Sequence, residues 1–365
     1  MSAIQPTLTT PIQVGNLLLK NRLVLAPLTR LRNSEKGVPP PYSAEYYSQR
    51  ANDGGLLISE ATIVAEEAGG TAGTPGIYSR EQIESWKKVT AAVHAKGGFI
   101  YSQLWALGRV ADPKLVPTVF SSSTQTYEGN EVKGMTEAEI DRFVVHFAQA
   151  AKNAIEAGFD GVEIHGANGY LIDQFIQNVS NKRTDDYGGS VANRIRFPLR
   201  VLNAVCDAIG PERVGIRMSP YSKFQGMEEE RPLETFVPYT EAIVKAQPKL
   251  AYVHCIEPRL SGDVTKLDED KGDTILPMRK AVDANGQIKF IAAGGLTPDS
   301  GEKIIQEHGG LVALGRWYLA NPDLLQRAVQ NLGLNQYDRS TFYTEGEKGY
   351  TDYPTYEESG RSSPR

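Results

Sequence analysis

The chain runs to 365 residues, with 40% hydrophobic and 23% charged residues and a formal net charge of −5. That length holds two ordinary domains or one large barrel; the composition excludes a disordered chain, and the charge disfavours a polyanionic partner, so no nucleic acid is expected. The two cysteines, Cys206 and Cys255, are too few for a disulfide framework, a four-cysteine zinc site or a cysteine-ligated iron–sulfur cluster.

Short apolar runs alternate with longer helical patterns along the chain. The first expected strand is Leu23–Leu28, followed by a helix near Ser43–Ala51. Strand Leu56–Glu60 precedes a helix over Glu81–Ala95, and Phe99–Leu104 precedes a long polar insertion, Gly108–Lys133. A helix over Thr136–Ala157 opens with the Thr-x-x-Glu spacing of a capping box. Strand Gly161–His165 and helix Asn193–Ile209 follow, then Val214–Met218 and Leu233–Ala246, then Ala251–His254 and Thr274–Ala284. The last units are Lys289–Ala292 with Pro298–His308, and Leu311–Gly315 with Asp323–Asn331. Eight such units predict a single-domain α/β fold, a closed (β/α)8 TIM barrel. No G-x-G-x-x-G follows any strand, which disfavours a dinucleotide-binding doubly wound sheet. The insertion and a tyrosine-rich C-terminal extension, about residues 333–365, exceed what a barrel needs, and both are candidates to wall in a site. Residues 360–365 are expected to be disordered. Met1–Thr10 lacks a basic run followed by an apolar core, and no apolar run approaches the ~20 residues of a membrane span, so a cytoplasmic protein without a membrane partner is expected.

Active sites in this fold lie at the C-terminal ends of the strands. Those ends carry Pro27-Leu28-Thr29-Arg30, Glu60-Ala61, Gln103-Leu104-Trp105, His165-Gly166-Ala167-Asn168-Gly169-Tyr170, Arg217-Met218, Gly294-Gly295 and Gly315-Arg316. The set holds donors, small residues and cations. It has no metal-ligand spacing, no serine or cysteine nucleophile with a base, and no lysine for a Schiff base, which points to a bound cofactor as the reactive agent. The last two strand ends are the common phosphate position, where glycines allow close backbone approach and Arg316 adds charge. One phosphate fits FMN, and a substrate phosphate fits the same place.

The chain resembles the Old Yellow Enzyme family of FMN-dependent ene-reductases, in its fungal, yeast and plant branch. The resemblance runs through Leu19–Arg22, Ala26–Arg30, Gly161–Leu171, Asn181–Ser190, Asn193-Arg194, Gly215–Pro220, Leu314–Arg316 and Asn321–Leu324, in order and over nearly the whole chain. It implies noncovalent FMN, NADPH or NADH as reductant, and an activated alkene as small-molecule substrate, in a monomer or homodimer. By the same resemblance Thr29 bonds the flavin carbonyl beside the reactive nitrogen, and Pro27, Leu28 and Ala61 run along the ring. Gln103 bonds the pyrimidine edge, Arg217 stabilises charge near N1, and Gly294, Gly295, Gly315 and Arg316 hold the phosphate. His165 and Asn168 grip the substrate oxygen, Tyr170 supplies a proton, and Trp105 and Tyr343 line the substrate pocket. Ala61 stands where some relatives carry glycine.

The chemistry suits these groups. Hydride reaching the β-carbon of an unsaturated carbonyl or nitro compound develops negative charge on oxygen, which two fixed donors stabilise. A tyrosine, with a reference pKa near ~10, keeps its proton at neutral pH. Plainer readings stand beside these: Trp105 reads equally as pocket wall or hydrophobic plug, and Tyr343 as a cover for the barrel end. Strand parity puts Glu163 and His165 on the barrel interior, and a structural ion pair is the preferred reading of Glu163. His254-Cys255 reads as structural, and Glu228–Arg231 as a solvated loop. A double-bond isomerase on the same scaffold, and a flavin-binding quinone- or stress-responsive protein, are the alternative functions; Tyr170 argues against the first.

Overall fold

The computed structural model describes residues 7–258, 260–261, 264–265 and 273–360. The expected disorder of residues 361–365 lies outside that range. Eight parallel strands close into a barrel: Leu23–Leu25, Leu56–Ile63, Phe99–Trp105, Gly161–Gly166, Val214–Met218, Tyr252–Ile256, Lys289–Ala293 and Leu311–Leu314, here strands one to eight. They are near-continuous apolar runs because helices cover one face and packed side chains the other. Strand one is shorter than expected: Ala26–Arg30 leaves the ladder as a loop. Strand two is longer, with a register irregularity between Ile58 and Ala61 that sets Ala61 opposite Gln103.

The interior is filled in layers. Gly161 and Gly215 have no side chain because the rings of Tyr101 and Tyr252 occupy that space; an added Cβ would lie 2.4 and 2.2 Å from them. Below these rings an antiparallel hairpin, Ile12–Val14 with Leu17–Leu19, contributes buried Val14 and Leu19 to the same apolar cluster as Tyr101 and Tyr252. The hairpin stoppers the N-terminal end of the barrel.

The helices fall where the periodicity puts them. Capping boxes begin Arg80–His94 at Ser79, Glu137–Glu156 at Thr136 and Pro298–His308 at Thr297. The expected helix Asn193–Ile209 is two pieces, Val191–Arg194 and Arg196–Ile209. Two short helices were not expected: Leu171–Ile176 behind strand four and Arg316–Ala320 behind strand eight. The insertion after strand three carries its own small sheet, Phe120–Ser121, Gln125–Tyr127 and Asn130–Gly134. No helix of the described residues is long and apolar enough to cross a membrane.

Candidate active site

A cavity of about 500 Å³ opens at the C-terminal end of the barrel. It is lined by Pro27, Leu28, Thr29, Gln103, Trp105, His165, Asn168, Tyr170, Arg217, Gly294, Gly295, Gly315, Arg316 and Tyr343, all expected from the sequence. Ala61 is the exception among the expected ring contacts: it is buried in strand two and does not line the cavity. Phe224, Leu296, Trp317, Leu319 and Phe342 line it without having been singled out. Aromatic residues in the loop after strand five and in the tail were the only signal for Phe224 and Phe342, and that signal does not say which way a ring faces.

The turn after strand four is built to hold three side chains together. Asn168 and Gly169 sit in the left-handed region at φ 59° and 78°, which reverses the chain within two residues. Ser219 Oγ accepts from the Asn168 N–H at 2.7 Å, and Asp173 Oδ2 accepts from the Gly169 N–H at 2.9 Å. Gln174 Nε2 donates to the Gly169 carbonyl at 2.7 Å. Tyr170 is then the N-cap position of Leu171–Ile176. Its ring meets Trp105 edge-on at 4.7 Å and His165 at 4.9 Å between centroids. Trp105 is thus both readings at once, a wall of the cavity and 98% removed from solvent at 2% exposure.

The protonation states follow from burial. Desolvation first, then the charges of Arg217 and His254, hold His165 well below the usual histidine range, so the ring is neutral. Its Nδ1 accepts from the Ala167 N–H at 3.3 Å. The ring proton is therefore on Nε2, and His165 offers a donor. Burial pushes the Tyr170 phenol up to about 12, so it keeps its proton through the neutral range.

Beneath them Gln103 Nε2 donates to Glu163 Oε1 at 2.7 Å, and His254 Nδ1 lies 2.8 Å from Glu163 Oε2. Strand parity put Glu163 on the interior, and its partner there is His254. Arg217 is 7% exposed, and its Nε is buried without a hydrogen-bond partner.

On the far side, Gly294 and Gly295 adopt φ 109° and 65°, and a Cβ on Gly294 would come 3.0 Å from the Glu257 amide nitrogen. A Cβ on Gly315 would come 2.9 Å from Leu28 Cδ2. Arg316 begins a short helix with its guanidinium 5.3 Å from the Tyr337 ring. A buried arginine donor without a partner, in one cavity with a glycine-lined end and Arg316, fits a planar ring with one phosphate. Among the described residues no group of three or more His, Cys, Asp or Glu could hold a metal.

Two expectations need correcting. The insertion 108–133 does not wall the cavity. It acts at one remove: buried Arg109 donates to the Gln225 carbonyl at 2.9 Å and holds the loop that carries Phe224. Nor is Glu228–Arg231 simply solvated. Glu229 is 6% exposed, pairs with Arg194 at 3.3 Å and accepts from the Asn178 N–H at 2.9 Å. A buried arginine in the helix ahead needed a counter-charge, and this carboxylate supplies it.

The tail does reach the site, through Phe342 and Tyr343, while Tyr350 is fully buried elsewhere. Arg30 donates to the carbonyls of Phe342 and Gly349 at 3.1 and 2.7 Å. Arg32 donates to those of Thr341, Gly346 and Lys348 at 2.8, 2.8 and 2.9 Å. Tyr350 stacks on Tyr46 at 4.0 Å beneath both arginines.

Comparison with known proteins identifies the family and the fold. Residues 7–335 match the NADH:flavin oxidoreductase / NADH oxidase family. The chain is 43% identical to flavin oxidoreductase hxnT of Emericella nidulans, over 97% of this chain and 98% of that protein. It is 43% identical to 12-oxophytodienoate reductase 2 of Arabidopsis thaliana, over 96% of each. Among solved structures, the Old Yellow Enzyme homologue of Zymomonas mobilis superposes with a TM-score of 0.89 at 35% identity, over 96% of this chain and 99% of that one. Morphinone reductase in complex with tetrahydroNAD superposes at 0.88 and 37% identity, over 98% and 99%.

Proposed function

The chain belongs to the NADH:flavin oxidoreductase / NADH oxidase family, the Old Yellow Enzyme family, as an NAD(P)H-dependent flavin ene-reductase, and on that premise we propose how its residues share the work. The observation that carries the reading is a neutral His165 with its donor on Nε2, beside Asn168 and a protonated Tyr170, in one cavity with Arg217.

When bound, FMN supplies hydride that it has taken from a nicotinamide, NADPH or NADH. Gln103, Thr29 and Arg217 hold its ring edge, Pro27 and Leu28 run beside it, and Gly294, Gly295, Gly315 and Arg316 hold its phosphate. His165 Nε2–H and the Asn168 amide hold the oxygen of an unsaturated carbonyl or nitro compound, so that negative charge developing there meets two fixed donors. Loss of one such donor costs roughly 3 kcal/mol in comparable sites. Tyr170 hands its proton to the α-carbon. Trp105 and Tyr343 bound the space left for the alkene. The neutral state of His165 matters because two nearby buried cations, Arg217 and a charged imidazole, would repel each other with little water to screen them. Cys206 and Cys255 are free, buried thiols, which fits a reducing, cytoplasmic setting.

The test is anaerobic. The protein should release FMN on acid precipitation, bleach with NADPH and recover its flavin absorbance with a cyclic enone. Para-substituted phenols should give a long-wavelength band with the parent and a weaker one with His165→Ala or Asn168→Ala. A colourless protein that takes up no FMN overturns the reading; unchanged phenol affinity in both variants overturns the paired-donor role.

A further inference from the structure

Below the residues that face the cavity lies a polar layer that the chemistry above does not use. Glu163 is completely buried at 0% exposure, in a barrel interior whose next layer down is the Tyr101 and Tyr252 rings. It has two polar partners at hydrogen-bonding distance, one per oxygen: Gln103 Nε2 at 2.7 Å and His254 Nδ1 at 2.8 Å. A carboxylate so far from water is costly to keep, by several kcal/mol before pairing. Two apolar side chains would fill the same space at less cost.

The strand register shows what this carboxylate reaches. Gln103 and Glu163 are partners across strands three and four. Arg217, the buried cation of the cavity floor, is the register partner of both His165 and His254. Glu163 therefore touches the Gln103 amide directly and lies one layer beneath Arg217. Burial pushes the Glu163 carboxyl up, but the His254 ring, Arg217 and Gln103 together outweigh it and hold the group below its ordinary value. Burial outweighs the pull of Glu163 on His254 and, with Arg217, holds that ring below its ordinary value. The stable arrangement is then an ionised Glu163, a neutral His254 with its proton on Nδ1, and Arg217 as the compensating cation.

An ionised carboxylate accepts hydrogen bonds and donates none. It therefore decides which end of the Gln103 amide faces it. The nitrogen must turn to Glu163, and the carbonyl oxygen with the second N–H is left for the cavity. We infer that Glu163, held by His254, is a positioning residue for the flavin: it fixes the Gln103 amide in the one orientation that presents an acceptor to a ring N–H, and it offsets the charge of Arg217.

This rests on the proposal that FMN occupies the cavity, and the two fail separately. FMN uptake by the parent tests the site; the comparison of variants that follows tests Glu163. In Glu163→Gln the carboxylate becomes an amide that can accept or donate, so the Gln103 orientation is no longer dictated. Oxidised FMN should bind the apoprotein ~10-fold more weakly, read by quenching of flavin fluorescence. The negative charge under Arg217 is gone, so reduced FMN should lose less affinity than oxidised FMN. A tenfold difference between the two raises the midpoint potential by about 30 mV for a two-electron couple. If Glu163 acts on affinity through Gln103, the loss should vanish when the same substitution is made in Gln103→Ala, a coupling that a packing role would not produce. A Glu163→Gln protein with parent FMN affinity and parent potential overturns the inference, as does an equal loss in both backgrounds. Should Glu163→Gln fail to fold, His254 carries the test: His254→Asn keeps an N–H toward Glu163 and should retain FMN, and His254→Leu should bind it more weakly. Equal affinity in those two variants overturns the inference.

Discussion

Two segments close the top of the barrel, and they are held in opposite ways. The turn 165–173 is fixed largely from within a few residues: Asp173 and Gln174 bind the backbone of Gly169, and Ser219 from the next strand end takes the Asn168 N–H. The tail segment 341–350 is fixed from the other end of the chain. Arg30, 312 positions before Phe342, donates to its carbonyl, and Arg32 adds three more carbonyls of the same segment. The turn places reacting groups with short, local bonds. The tail is a strap whose backbone is strung on two buried guanidinium groups. Chemistry needs positions held within fractions of an ångström, and short local loops give that at small entropic cost; a cover needs only to be shut.

If that division is right, breaking the strap should cost stability and breaking the turn should cost rate. Arg32→Met takes a charged donor from the carbonyls of Gly346 and Lys348, while those of Thr341 and Phe342 keep Arg30; a hydrogen bond to a charged group contributes ~1.5–3 kcal/mol. The substitution should lower unfolding free energy by roughly 3 kcal/mol or more and expose the tail to limited proteolysis. A parent-like melt would mean the stacking of Tyr350 on Tyr46 suffices. Tyr170→Phe is the converse. Stability, FMN content and flavin reduction should hold, while reoxidation by a cyclic enone slows ~10²-fold, the usual worth of one positioned acid. With a nitroalkene the variant should still accept hydride and release the unprotonated nitronate, followed by stopped-flow absorbance. Parent rates with both acceptors would reduce Tyr170 to a packing residue.

A pH experiment separates the two segments further. Burial pushes Asp173 from 3.8 to about 7. The folded state thus holds a proton that the unfolded chain gives up near its ordinary value. The stability contribution of Asp173 is greatest below that value and falls as pH rises toward about 7. Asp173→Asn stays neutral, so its stability relative to the parent should rise over that window, on the order of 4 kcal/mol. Parallel denaturation curves at pH 4 and pH 8 would show that Asp173 is ionised in the folded protein. The smallest expected change is Ser219→Ala, which leaves the Asn168 N–H without its acceptor. A neutral hydrogen bond of this kind contributes ~1 kcal/mol. Phenol affinity should fall a few-fold with the melting temperature little changed, and a large drop in melting temperature would mean the turn is structural.

The same contrast explains what could be read from the sequence. The eight strands were legible because burial on both faces makes each a nearly continuous apolar run. The turn was legible because its residues are contiguous, from His165 to Tyr170. The hairpin at Ile12–Leu19 was not, since strands of three residues carry too little period-2 signal. Arg30, read at the end of strand one, does line the cavity, and only folding reveals that its guanidinium also holds the tail. Glu229 looked solvated because its neighbours in sequence are charged; its partner Arg194 is 35 positions away. Phe224 and Phe342 were invisible as cavity residues for the same reason: which side of a loop faces inward is set by distant contacts.

The plugged barrel floor has a kinetic consequence. Among the described residues, Tyr101, Tyr252 and the hairpin below them close the N-terminal end beneath the cavity. On the proposed function, the nicotinamide and the alkene must then use one doorway and the same standing room, so they can only take turns. Turnover becomes a queue: spent reductant has to leave before an acceptor enters, and the product before the next reductant. Steady-state plots at several fixed acceptor concentrations should give parallel lines, the mark of a ping-pong sequence. A crowd of acceptor at the door should slow the first half of the cycle.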